Sequence, residues 1–224
     1  MASTKSKSDC LTHDDDATVN GTALARPLRL TPAWAGRDVS LEEFENASGK
    51  EGWRYELIDG RIEVFPTPEL PHDMVLVWIY GRLVTYREAH REVIQYVSTH
   101  SQVFIAGRRE TNCLQPDLTA YRDDPSQWPR PMRRWQNMNP ILVVEVLCDR
   151  YHKKDLVRNV ALYQEAPSVK EYWVLDPRDD ADHPTLRVYR RRGQAWQRPI
   201  DVPFAGTYTT PLLPGFTLIV DPNV

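Results

Sequence analysis

Cysteine is scarce in this chain and falls into no pattern, with three residues at positions 10, 113 and 148 and no CxxC pair. That spacing excludes a disulfide framework and a zinc knuckle, and Cys113 and Cys148 read as small buried hydrophobes in strands. Long apolar runs are also missing. No segment reaches the roughly 18 residues of a membrane span. The start, Met1 to Ser8, lacks the apolar stretch of a secretory signal, so a cytoplasmic location is expected. There is no excess of basic charge: the net charge is -3 at pH 7, and contact with nucleic acid would need a local basic patch. The six histidines form no HExxH, and no Ser-centred elbow is present, so zinc or Ser/His hydrolase chemistry has little support.

What is present is globular. Hydrophobic residues make up 41% and charged residues 26% of 224 positions, and seven Trp with ten Tyr supply large surfaces for a core. The length suits one domain with a tail. Residues 1–33 are rich in Ser, Thr, Asp and Asn, including Asp14-Asp15-Asp16, and read as a flexible tail. Residues 34–224 read as a single folded domain.

Element signals follow in order. Ser40 with Glu43 three residues on is a capping box, predicting a short helix to about Ala47. Asp59-Gly60 between two apolar runs predicts a hairpin. Apolar residues at Met74, Val75, Trp78, Ile79, Leu83 and Tyr86 predict an amphipathic helix from His72 to about Arg91. Strands are expected at 92–98 and 101–106, paired with each other, and at 114–121. Ile141 to Leu147 is a nearly continuous apolar run, as in a strand buried on both faces. A helix is expected from about Lys153 to Glu165, a buried strand at 170–176, a hairpin around Arg192-Gly193 and a last strand at 216–220. The whole predicts a mixed α/β (α+β) fold with an antiparallel C-terminal arm.

One charge interrupts the most apolar segment. Glu145 sits inside Val143-Val144-Glu145-Val146-Leu147, where a carboxylate is costly unless paired or bound to metal. Asp117, just after Pro116, lies in the preceding strand. Carboxylates from neighbouring strands can converge on one cation, and oxygen ligands suit Mg²⁺ or Mn²⁺ better than zinc. The carbonyl of Val146 is a candidate third ligand. The alternative is a structural Glu145 neutralised by an Arg or Lys.

Tyr55-Glu56-Leu57-Ile58-Asp59-Gly60, Gln115-Pro116-Asp117-Leu118, Leu142-Val143-Val144-Glu145-Val146-Leu147, Asp155 with Leu162-Tyr163, Glu171 to Pro177, and Leu212-Leu213-Pro214-Gly215-Phe216 occur in that order. The set resembles the Uma2 family (DUF820) of restriction-endonuclease-like proteins, over roughly Val39 to Asp221. The resemblance implies a PD-(D/E)XK core with an N-terminal β-hairpin, a divalent metal, and endonuclease activity on DNA phosphodiesters. It implies that Asp117 and Glu145 are the motif's acidic pair and that Glu56 is an acidic residue of the hairpin. For Glu56 a purely structural role is an equal alternative.

The chain departs from that pattern at the lysine. Leu147 stands two residues after Glu145, and Asn159 occupies the helix position where the family usually carries the lysine. Lys154, then Lys153, then Arg158 are the expected replacements, each with a solvated helix charge as its alternative. Two rivals follow: a catalytically weakened protein that binds nucleic acid or a partner through the same cleft, and a scaffold with structural carboxylates. His72 reads as a helix cap, with a place near the substrate as the alternative, and the Arg-rich stretches 130–134 and 187–192 as exposed charge or as phosphate contacts. Strand edges and the aromatic-rich arm are compatible with a homodimer.

Overall fold

A computed structural model describes residues 27–107 and 109–224. The expected tail up to residue 26 lies outside these. Its remainder is ordered, because strand β1 (Arg29–Leu30) pairs in parallel with β2 (Ser48–Gly49) and Leu30 is buried. Between them α1 (Leu41–Glu45) begins at the capping box, in which Ser40 Oγ accepts from Glu43 N–H and the Glu43 carboxylate accepts from Ser40 N–H.

A four-stranded antiparallel sheet follows, in the order β4-β3-β7-β6: β3 (Trp53–Ile58), β4 (Arg61–Pro66), β6 (Val103–Ile105) and β7 (Asn112–Leu114). Asp59 and Gly60 turn the first hairpin with φ of 48° and 79°, the left-handed conformations that a tight hairpin turn requires. The larger sheet runs β12-β11-β10-β9-β8-β5, with β13 also on β11. It comprises β5 (Tyr96–Ser98), β8 (Leu118–Tyr121), β9 (Pro140–Val146), β10 (Glu171–Asp176), β11 (Thr185–Arg192), β12 (Ala195–Trp196) and β13 (Ile200–Val202). Only β9 and β10 pair in parallel; the remaining ladders are antiparallel. A small hairpin, β14 (Thr207–Thr209) with β15 (Thr217–Ile219), completes the strands.

Two strand expectations need correction. β5 and β6 do not pair with each other; β5 joins β8 and β6 joins β7. The single strand expected at 114–121 is two strands in different sheets. Pro116 has no N–H for a ladder, and the chain crosses from one sheet to the other at Gln115-Pro116-Asp117. That crossing brings the two sheets together beside Asp117.

Helix α2 (Leu70–Ala89) covers one face of the large sheet. Val75, Leu76, Ile79, Leu83 and Tyr86 point into the core with Leu118, Val144, Val146 and Trp173. Met74, expected on that face, is 51% exposed, and Leu76 is buried in its stead. On the opposite face, β9 presents Val143 and Leu147 to Tyr163 and Tyr172. The helix expected over 153–165 is a π-helical turn, Lys154–Arg158, running into α3 (Asn159–Gln164). Among the described residues no helix is long and apolar enough to cross a membrane. The mixed helix and sheet architecture agrees with the predicted fold class.

Candidate active site

The ladder between β8 and β9 pairs Leu118 with Val144, which sets Asp117 directly across from Glu145. Strand alternation then turns Glu145 to the same face as Val143 and Leu147, into the space between the two sheets. Asp117 N–H donates to Glu145 Oε2 at 3.3 Å. The opposite wall comes from β3, where Arg54 and Glu56 are two residues apart and share a face. The π-helical turn closes the end with Lys154, Asp155, Arg158 and Asn159, and the first turn of α2 adds His72.

Glu56, Asp117, Glu145 and Asp155 are each at most 3% exposed. Asp117 is the most heavily engaged. Arg54 Nη1 donates to Oδ1 at 2.5 Å, while His72 Nε2 at 3.0 Å and the Val146 N–H at 2.8 Å both meet Oδ2. Glu145 Oε1 accepts from Asn159 Nδ2 at 3.0 Å and Tyr163 OH at 3.3 Å, with Lys154 Nζ 3.8 Å away. Lys154 Nζ also lies 2.5 Å from Asp155 Oδ1, 3.9 Å from Glu56 Oε1 and over the Phe65 ring. Arg158 bridges Glu56 and Glu63, and Glu56 Oε1 accepts from the Gln115 N–H at 3.3 Å.

Charge in this cluster is dense. Four buried carboxylates, with Glu63 beside them, face the permanent cations Arg54, Lys154 and Arg158 and the His72 ring. Burial pushes the Glu145 carboxyl well above its ordinary value, against the pull of Lys154. Burial raises Asp155 in the same way, to about 6. Asp117 behaves oppositely. Burial alone would raise it, but the hydrogen bond and charge of His72, then the charges of Arg54 and Lys154, hold it well below the usual carboxylate range. Burial would also lower Lys154, yet Glu145, Glu56 and Asp155 keep its ammonium well above its ordinary value.

The cleft lined by Arg54, Glu56, His72, Asp117, Lys154 and Asp155 has about 30 Å³ of free space, with Phe65, Pro66, Pro68 and Tyr151 also in its wall. Space of that size admits a water or an ion and no nucleotide ring. A larger cavity of about 440 Å³ lies beside β10, β11 and β13. Its rim arginines are spent on neighbours, Arg178 on Asp176 and Arg187 on Asp201, and no buried carboxylate faces it.

Of the residues expected from sequence, the structure brings Asp117, Glu145, Glu56 and Lys154 together. Lys153 is exposed, and Arg158 is paired to carboxylates. Val146, whose carbonyl is the expected ligand group, donates its N–H to Asp117 Oδ2 at 2.8 Å. His72 does not cap its helix, whose N-cap position is Glu69; its ring reaches Asp117. The stretch 130–134 follows β8 and precedes β9, at the ends of those strands remote from the carboxylates. Arg187, Arg190 and Arg191 bond to Asp201, to Glu171 and Tyr208, and to carbonyls at the end of α3. Arg54 and Asp155 are site residues that the sequence reading missed, and for His72 it is the alternative place near the site, not the cap, that the geometry matches. The signals available were the alternation of Arg54 with Glu56 and the four-residue steps from Asp155 to Asn159 to Tyr163.

Two comparisons bear on this geometry. A crystal structure described as a putative nuclease belonging to DUF820, from Anabaena variabilis, superposes with a TM-score of 0.64 at 16% identity. The match covers 81% of this chain and 95% of that one, and at this identity it shows the fold alone. No curated protein matches the chain. The model of the Uma2 family, described as putative restriction endonuclease, matches residues 41–221. The chain therefore belongs to the Uma2 family.

Proposed function

We propose that this protein is a divalent-metal-dependent endonuclease that hydrolyses phosphodiester bonds in DNA. The observation that carries the proposal is a convergence. Two buried carboxylates stand across from each other on neighbouring strands, Asp117 lining a cleft too small for a base, and the lysine ammonium of that cleft lies 3.8 Å from Glu145. The descriptions of the family as restriction endonucleases and of the structural neighbour as a nuclease support the same chemistry.

The residues suit a metal. Their donors are all oxygen, and ionised Glu145 is costly without a further cation. Asp117 and Glu145 would hold it. Among the described residues no three His, Cys, Asp or Glu side chains converge on one point. Waters and phosphate oxygens would complete the coordination, the arrangement Mg²⁺ favours. When bound there, such a cation polarises the phosphate and lowers the pKa of a coordinated water.

The chain's own groups do the rest. Asn159 and Tyr163 orient Glu145 through Oε1, so the residue in the lysine place becomes a positioning group. Lys154 replaces the missing charge, with its ammonium at the cleft wall ready to stabilise negative charge developing on the phosphate. Because the cleft admits no ring, the nucleic acid would lie across its rim and present only a backbone phosphate.

A second reading is a weakened nuclease-fold protein that binds nucleic acid or a partner. It is favoured by the full occupation of Asp117, whose two oxygens already meet Arg54, His72 and the Val146 N–H. Nicking of supercoiled plasmid with Mg²⁺ or Mn²⁺, run beside a Mn²⁺ titration, separates the two. The proposal expects Asp117→Ala and Glu145→Ala to lose both metal and activity. Lys154→Met should keep the metal and slow nicking by about a hundredfold. Mn²⁺ binding without nicking establishes the second reading. Equal nicking by wild type and both carboxylate variants removes the assignment altogether.

A further inference from the structure

Helix α2 is apolar on two opposite faces. One is the core face described above. The other carries Leu70, Met74, Val77 and Gly81, with Leu70, Met74 and Val77 at 69%, 51% and 60% exposed. These positions alternate in steps of four and three residues, the seam spacing of a helix packed on another helix. An exposed apolar stripe on a helix is a usual seat for a packing partner. Gly81 adds an independent sign. Glycine inside a helix costs about 1 kcal/mol relative to alanine. Nothing within the chain demands it, since a Cβ there would have no neighbour within 4 Å. An absent side chain at the middle of an exposed apolar seam lets a second backbone approach closely.

The charges beside the seam identify the occupant. Asp73, Tyr80 and Arg87 recur at every seventh residue along one edge, acidic at the start, aromatic in the middle and basic at the end. A second copy laid antiparallel about a two-fold axis at Tyr80 sets each Asp73 against Arg87 of the other copy. A parallel copy would set Asp73 against Asp73. Asp73 makes no ion pair among the described residues, and Arg87, largely buried with its Nε unpartnered, is paired there with its half-exposed neighbour Glu88. We infer that the chain forms an antiparallel two-fold homodimer through the outer face of α2, centred on Tyr80 and Gly81. The surface differs from the strand edges and C-terminal arm that the sequence suggests. Since His72 on the same helix bonds Asp117, the second copy braces one wall of the candidate cleft. The inference does not depend on what that cleft does.

One helix from each copy makes a small interface, so dissociation in the micromolar range is expected. Sedimentation of the full chain between about 1 and 100 µM should show a concentration-dependent dimer. Val77→Glu should raise the dissociation constant by about tenfold or more. Asp73→Arg and Arg87→Asp should each be monomeric alone and should associate when mixed, because mixing restores both cross-copy pairs. Circular dichroism melts would confirm that the variants remain folded. A wild type that stays monomeric overturns the inference, as does a dimer indifferent to Val77→Glu or a variant mixture that stays apart.

Discussion

Arg54 and Asp117 are 63 residues apart in the chain and 2.5 Å apart in the site. The guanidinium fills the oxygen that a cation would need, and it is also a partly exposed donor at the rim where a phosphate would arrive. Arg54→Ala should therefore have two effects of opposite sign: tighter Mn²⁺ binding by calorimetry and weaker binding of duplex DNA measured without metal. If both move together, Arg54 is only a structural partner of Asp117. Protonation gives a second residue-level expectation. The folded-state pKa of Asp155 is raised by burial from 3.8 to about 6, so its ionisation costs stability as pH rises through that window. In metal-free protein the stability of Asp155→Asn relative to wild type should improve between pH 4 and 7. A difference that is flat with pH contradicts the assignment. For Asp117 the sign reverses: its depressed pKa contributes stability that is full above the unfolded value near 3.8 and is lost on acidification below it. Asp117 and Glu145 were legible in the sequence because a carboxylate in or beside an apolar strand conflicts with its surroundings. Arg54 and His72 were not, because the partner that gives each its meaning lies 63 and 45 residues away in another element.

At the scale of elements, local signals were reliable where the cause was local. The capping box at Ser40 and the Asp59-Gly60 turn depend on a few adjacent residues, and both formed as expected. The split at Pro116 was harder to see, because a strand read by composition continues where a missing N–H moves the chain to a second sheet. The π-helical turn was invisible to periodicity. Its Asn159 N–H bonds to the Lys154 carbonyl, and the widened turn carries Lys154, Asp155, Arg158 and Asn159 into one arc facing Glu145. That geometry brings Lys154 Nζ within 3.8 Å of Glu145 although Asn occupies the usual lysine place. Away from the site, Glu171 ties the β14–β15 hairpin to the main sheet. Its buried carboxylate accepts from Trp173 Nε1 at 2.8 Å, Tyr208 OH at 2.9 Å and the Thr210 hydroxyl, with Arg190 Nε at 3.2 Å. Glu171→Ala leaves those buried donors without an acceptor and should cost roughly 3–5 kcal/mol, lowering Tm by about 10 °C. A change of less than about 2 °C would mean that the apolar contacts of the hairpin hold it alone.

For the molecule as a whole, the site exists because two sheets meet at one crossing. The small sheet supplies Arg54, Glu56 and Glu63; the large one supplies Asp117 and Glu145; the turn after β9 supplies the lysine. Together they crowd carboxylates and cations around a space the size of an ion. The most direct test of the central claim is anomalous diffraction from crystals soaked in Mn²⁺, with Glu145→Gln crystals as the control. The account predicts a single anomalous peak between Asp117 and Glu145 in wild type, no peak in the variant, and Arg54 displaced from Asp117 Oδ1. Crystals that diffract well, show no peak and keep Arg54 and Lys154 on the carboxylates would contradict it.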